Sequence, residues 1–261
     1  MNKIEIDHLY VSSFSDNSLE TIKKYGIGME INHTCISEDL DDTEEKRKKL
    51  LSRIRNDVST SDAKNLILHG PYTEIFPAAI DYQARKLAQK RLNQAYQVAR
   101  SLNINRMVVH SGWVPFIYFK DWQSEKSALF WNKFMEGKSQ DFRIYIENVL
   151  EDEPSMLADM MHRIGDPRIK LCLDIGHANA MTSANYHVRD WIRLLSPYIG
   201  HFHIHNNDGT EDSHQSLDRG SLDMTTIIQT IFDCCKNDFS ITIEARDALP
   251  CLQWLEEKRY I

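Results

Sequence analysis

The chain has 261 residues, 42% of them hydrophobic and 26% charged, with 31 basic and 38 acidic side chains giving a formal net charge of −7. That length suits one α/β domain with a sizeable core, and the acidic balance argues against a protein built to collect polyanions. The five cysteines, Cys35, Cys172, Cys234, Cys235 and Cys251, form no C-x-x-C pair and are expected as reduced thiols. The amino terminus shows no leader-like apolar run, and no segment approaches the ~18 apolar residues of a membrane span. A soluble cytoplasmic protein is therefore expected.

In chain order, short β-branched apolar runs fall at 3–8 (KIEIDH), 27–32 (IGMEIN), 65–69 (NLILH), 106–110 (RMVVH), 142–147 (FRIYIE), 169–174 (IKLCLD), 199–205 (IGHFHIH) and 240–244 (SITIE). Consecutive apolar residues suit strands covered on both faces. Segments of helical spacing lie between them at 17–25, 43–57, 81–102, 123–136, 154–164, 188–195, 222–235 and 247–258. The clearest is 81–102, where Ala84, Leu87, Ala88, Leu92, Ala95, Val98, Ala99 and Leu102 form one stripe. Asp16 or Asn17, Asp81 and Asp223 are candidate amino-terminal caps. Strand–helix alternation repeated eight times predicts a single (β/α)8 TIM barrel, one domain over 1–261. Two stretches stand outside the alternation. The segment 33–45 is acidic and reads as a loop leading into a helix. The segment 111–122 (SGWVPFIYFKDW) holds five aromatics directly after a strand, a composition that suits a site lining.

Strand ends carry metal-ligand residue types. His69, His110, Glu147, Asp174, His205 and Glu244 close six of the eight predicted strands; His177 follows Asp174, and Asp212 and His214 form a D-x-H pair after the seventh strand. Each alone has an ordinary explanation as a cap, a salt-bridge partner or a core histidine. Together they lie where the carboxyl ends of barrel strands converge on one pocket. Imidazole and carboxylate donors suit Zn, Mn, Fe or Co. His201, His203 and His205 alternate and should point the same way. Only His205 is near the strand end, so it takes the ligand role, with His203 as an interior or supporting residue and His201 as structural.

The motifs HGPY at 69–72, VVHSGW at 108–113, IYIENV at 144–149, LDIGHAN at 173–179, HNNDG…DSH at 205–214 and ITIEA at 241–245 resemble the xylose isomerase-like TIM barrels. That family includes endonuclease IV and many sugar isomerases and epimerases. In the isomerase and epimerase branch the resemblance implies one ion held by Glu147, Asp174, His205 and Glu244, with the two glutamates moving protons. The endonuclease IV branch implies further ligands at His69, His110, His177, Asp212 and His214, with Glu147 bridging two ions. Tyr72 matches a tyrosine of that nuclease. The 33–45 loop departs from it, carrying four acidic residues before Thr43 and no Lys or Arg where the nuclease grips DNA.

The leading expectation is a metal-dependent hydrolase using two to three divalent ions, zinc or manganese, on a phosphoester of a small or medium-sized sugar- or nucleotide-like substrate. Glu147 and Glu244 are its candidate catalytic residues. Tyr72, Trp113 and Phe116 are candidate substrate contacts, as is Arg219 for a phosphate or hydroxyl. The alternative is a sugar (phosphate) isomerase or epimerase with Glu147 and Glu244 as acid and base. A third reading is a non-catalytic metal-dependent binding barrel. A small-molecule substrate is expected, nucleic acid and membrane are not, and the oligomeric state is open.

Overall fold

In the computed structural model, residues 3–41, 43–235 and 238–261 are described. The apolar runs become eight strands: β1 Leu9–Ser12, β2 Gly28–Ile31, β3 Leu66–His69, β4 Arg106–His110, β5 Arg143–Glu147, β6 Ile169–Asp174, β7 Ile199–Ile204 and β8 Ser240–Ile243. All pair in parallel, in chain order, and β8 closes on β1 to complete the barrel. Outward side chains such as Val11, Met29, Leu68, Val109, Ile146, Leu173, Ile204 and Ile243 are buried in the main core under the helices. Inward, Tyr10, Ile67, Val108, Tyr145 and Cys172 form a second, smaller apolar cluster. Both faces of every strand are thus covered, which is why the strands read as unbroken apolar runs.

The helices are α1 Ser18–Tyr25, α2 Glu44–Ser61, α3 Tyr82–Ser101, α4 Lys120–Met135, α5 Ser155–Arg163, α6 Ile175–Met181, α7 Val188–Leu195, α8 Met224–Cys234 and α9 Ala248–Glu257. Asp81 and Asp223 cap α3 and α8 as expected, accepting from Gln83 N–H and from Thr225 and Thr226 N–H. At α1, Asn17 holds the cap position but makes no side-chain cap bond, and Asp16 bridges to Asp247 instead. The α3 stripe buries Ala88, Leu92, Ala95, Val98 and Ala99, whereas Leu87 stays exposed.

One strand falls elsewhere than expected. Residues 6–8 form a 3-10 turn and β1 begins only at Leu9. Glu5, Ile6 and Asp7 are exposed, while Leu9, Tyr10 and Val11 are buried. A barrel strand needs cover on both faces, and the polar half of KIEIDH does not supply side chains for that position. The helix α6 was not foreseen either. It starts where Asp174, ending β6, accepts a hydrogen bond from the His177 N–H at 2.6 Å, so one carboxylate both caps a helix and faces the barrel mouth.

Candidate metal centre

Among the described residues, five sets of side chains place one donor atom per residue within 4.8 Å of the others; two of them, Cys172–His201–His203 and Glu30–His69–His203–Glu244, reach deeper into the barrel, and the other three are made only of residues at or near the carboxyl ends of the strands. Of these three, the first is His69, His110 and Glu147; the second is Glu147, Asp174, His203 and Glu244; the third is His177, Asp212 and His214. Glu147 belongs to two of them. Its Oε2 lies 3.3 Å from His69 Nε2 and 3.5 Å from His110 Nε2, and its Oε1 lies 3.4 Å from His203 Nδ1. Asp212 and His214 reach the site because the loop after β7 folds back on itself. Asn206 and Gln215 exchange backbone hydrogen bonds of 3.0 and 2.7 Å, and Arg246 N–H donates to the His214 carbonyl at 2.9 Å.

The ligand role was expected of His205, with His203 as an interior or supporting residue; in the structure the four-residue group contains His203 and not His205. Both point inward, as alternation requires, so depth decides between them. His203 pairs in register with Asp174 on the neighbouring strand, and its Nδ1 lies 3.2 Å from Glu244 Oε2 and 3.7 Å from Asp174 Oδ2. His205 sits one step higher, stacked on His214 with ring centres 4.0 Å apart. Its Nε2 lies 3.3 Å from Asp174 Oδ1 and 3.5 Å from Asp212 Oδ1, between two groups and a member of neither. Gly176 makes that position possible, since a methyl group there would overlap the His205 ring.

Hydrogen bonds settle which nitrogen each imidazole offers. The Nδ1–H of His69, His177 and His214 donates to the backbone carbonyls of Gly70, Asn148 and Glu244 at 2.9, 3.0 and 2.6 Å. That leaves each Nε2 lone pair aimed at a carboxylate: His69 at Glu147, and His177 and His214 at Asp212 Oδ2, at 3.1 and 3.0 Å. Carbonyl-fixed imidazoles of this kind are the usual support of metal ligands. A lone pair facing an anion is repulsive unless a cation, a proton or a metal ion, lies between them.

The burial of the group sharpens that requirement. Glu147 Oε2, Asp174 Oδ2, Glu244 Oε1, Asp212 Oδ1 and His203 Nδ1 are buried with no hydrogen-bond partner among the described residues. Removing an unpaired carboxylate from water costs several kcal/mol. Burial would raise the Glu147 carboxyl, but the imidazoles of His203, His110 and His177 outweigh it and hold the group well below the usual carboxylate range. Asp174 and Asp212 are lowered in the same way, against burial, chiefly by His177 and His205 in the first case and His177 and His214 in the second. Burial opposes charge on the histidines too. Against burial, His69 is raised well above the ordinary imidazole value by Cys35 and then Glu147, His177 by Asp174, Asp212 and Glu147, and His203 by Cys172 and then Glu244, Glu30 and Glu147, while His214 rises to about 9 beside Asp212. His110 differs: burial, with the neighbouring imidazoles, pushes it down to about 3. A neutral, desolvated imidazole next to a shared carboxylate is a donor ready for a divalent ion. The residues present fit a divalent metal ion.

Around this cluster the expected substrate contacts divide. Tyr72 is 42% exposed and stacks on His110 with ring centres 4.8 Å apart, so it stands at the mouth. Trp113 is only 7% exposed and donates Nε1–H to the Tyr118 carbonyl, fastening its own loop. Phe116 is fully exposed, with φ of +65°, and no ring contact with the cluster is seen among the described residues. Arg219 is exposed on the loop after β7, where no hydrogen bond or ion pair joins its guanidinium to the cluster among the described residues. The sequence reading missed Glu30, on β2. Fully buried inside the barrel, its carboxylate accepts from His203 Nε2–H at 3.0 Å, from His201 Nε2–H at 3.2 Å and from the Thr242 hydroxyl at 2.5 Å. A single charge in the otherwise apolar run IGMEIN was the available signal.

Comparison with known proteins agrees with the barrel fold. The family model described as xylose isomerase-like TIM barrel matches residues 19–257. An uncharacterized protein of Methanocaldococcus jannaschii is 25% identical over 208 residues, covering 74% of this chain and 69% of that one. A "Probable endonuclease 4" of Mycobacterium leprae is 27% identical over 187 residues, covering 67% and 71%. Among solved structures, a D-tagatose 3-epimerase-like protein superposes with a TM-score of 0.75 at 20% identity, covering 97% of this chain and 96% of that one. A Thermus thermophilus protein from crystals soaked with ZnCl2 gives 0.74 at 20% identity, covering 96% and 97%.

Proposed function

The chain belongs to the xylose isomerase-like TIM-barrel family, and from that premise we propose that it is a metal-dependent hydrolase of a phosphoester in a small or medium-sized sugar- or nucleotide-like molecule. The observation that carries this reading is the arrangement of ligand groups: three of them, two joined through Glu147. An isomerase needs only the four-residue group. The remaining His69, His110, His177 and His214 would then be substrate contacts, and Asp212 a half-buried carboxylate with no ion to balance it. In the hydrolase, Glu147, Asp174, His203 and Glu244 would hold one ion, His69 and His110 would share Glu147 to hold a second, and His177, Asp212 and His214 would hold a third. Zinc or manganese suits these mixed donors. Clustered divalent ions supply Lewis acidity and positive charge against the charge developing on a phosphoryl group. The chain's own part is to fix the imidazoles through Gly70, Asn148 and Glu244 carbonyls and to present the Tyr72 ring beside the substrate.

A second reading rests on a different observation. Glu147 and Glu244 both belong to the four-residue group, where an acid and a base could act across a sugar enediolate. Nucleic acid is not proposed as the substrate. The net charge is −7, and Asp41 of the acidic loop is tied to Arg91 at 2.8 Å and to Lys46 at 3.5 Å, which occupies two cations that could otherwise face phosphates.

The test compares wild type with His110→Ala, measuring bound metal, hydrolysis of aryl phosphodiesters and aldose–ketose interconversion with Mn or Zn supplied. The hydrolase reading expects the variant to lose at least one ion and nearly all phosphodiesterase activity. The isomerase reading expects full metal content and mainly a raised KM for a sugar. Wild type that interconverts sugars but hydrolyses no phosphoester overturns the proposal, and submicromolar, salt-sensitive binding to an abasic DNA duplex would move the substrate to nucleic acid.

A further inference from the structure

Four histidines in the candidate centre have one ring nitrogen tied to an oxygen acceptor, and one of the four is built differently. His69, His177 and His214 donate Nδ1–H to a backbone carbonyl and turn Nε2 toward the carboxylates. His203 is inverted: Nε2 points down the barrel axis to Glu30, and Nδ1 faces Glu147, Asp174 and Glu244. His203 lies mid-barrel on β7, and among the described residues no backbone carbonyl accepts from its ring; a side chain rising from β2, across the barrel, takes that place instead. Glu30 is fully buried, and both its oxygens are engaged: Oε1 by His203, Oε2 by His203, His201 and Thr242. His201 is itself held from the other side, where Nδ1 accepts from the Ser240 hydroxyl at 2.7 Å.

We propose that Glu30 is a positioning residue of the metal centre: its carboxylate takes the Nε2 proton of His203, so that the Nδ1 lone pair faces the ion held with Glu147, Asp174 and Glu244. The inference rests on the reading of those four residues as ligands. Without an acceptor at Nε2, the proton of neutral His203 can move to Nδ1, where three carboxylates attract it and where it excludes a metal ion. With the acceptor anionic and fixed by Thr242 and His201, the ring has one tautomer and one orientation. The carboxylate also adds basicity to the ligand nitrogen, as partners behind metal-bound imidazoles do. The purely structural alternative is that Glu30 only balances two buried histidines, in which case its loss lowers stability and leaves metal affinity alone.

Wild type, Glu30→Gln, Glu30→Leu and His203→Ala, all purified as the full chain, are titrated with Zn against a chelator of known affinity, and melting is followed with and without metal. One ion is expected to weaken by about 10–100-fold in Glu30→Gln, because the amide still offers one oxygen to His203 but cannot also serve His201 and Thr242. Glu30→Leu should lose that ion, as His203→Ala should, while the other ions stay bound. Should Glu30→Leu fail to fold, the Gln variant decides. Wild-type affinity for every ion in folded Glu30→Gln overturns the proposal, even if its melting temperature falls. A His203→Ala variant that keeps all its metal overturns the ligand reading itself, and a wild type that binds no ion overturns both.

Discussion

Glu147 sets Oε2 against His69 and His110 and Oε1 against His177 and His203. A carboxylate engaged on both sides by imidazoles can neutralise two ions at once, whereas an amide keeps the shape and loses the charge. Glu147→Gln is therefore expected to lower turnover by at least about 10²-fold, in the range that loss of a proton-transfer or electrostatic group gives. The fold should remain intact, since backbone and volume are unchanged. Steady-state kinetics with circular dichroism checks this, and full activity in a folded variant would remove Glu147 from the chemistry. The residue types of the site were legible because each sits at a strand end, where a barrel concentrates function. The choice between His203 and His205 was not. Spacing says that both face inward, but depth depends on the β6–β7 register, which shifts at Leu171 and Cys172. Glu30 was hidden for the same reason: its partners His201, His203 and Thr242 lie about 170 to 210 positions away in the chain.

At the scale of elements, the β4–α4 connection shows what sequence composition does and does not convey. Its aromatics suggested a site lining, yet Trp113 is spent on holding the loop, Trp122 donates to the Ala78 carbonyl at 2.8 Å, and Phe116 faces water. The loop's geometry hinges on Gly112, whose φ of +67° lies in the left-handed region and whose missing side chain lets the Ile75 carbonyl approach closely. Gly112→Ala should cost about 1–3 kcal/mol from backbone strain and the forced shift of Ile75. Urea unfolding measures it, and an unchanged midpoint would show that the loop adapts freely. The displaced first strand and the unforeseen α6 have a common cause. Both lie where polar residues interrupt the apolar pattern, and what decides there is tertiary cover for β1 and the Asp174 cap for α6.

Over the whole molecule, eight apolar runs in strict alternation were enough to read the closed barrel, because parallel strands covered on both faces leave a strong signal. Substrate identity left no comparable signal, since loops and not strands shape the mouth. The charge layout makes a prediction on pH. In the metal-free chain, His69, His177 and His203 are raised and His214 reaches about 9, so these rings carry protons near neutrality. An ion must displace those protons. Metal affinity should therefore rise as pH goes from about 6 to 9 and fall on acidification, with protons released on binding at about pH 7. Calorimetry in buffers of different ionisation enthalpy checks this; binding without proton release would contradict it.

The central claim is that three ligand groups, two of them joined at Glu147, form one multinuclear site. Elemental analysis of protein purified without chelator tests it most directly, read as moles of Zn plus Mn per mole of chain at about pH 8. The account predicts three, and never fewer than two, with His110→Ala reduced by at least one. One ion per chain in wild type, unchanged in His110→Ala, would contradict it.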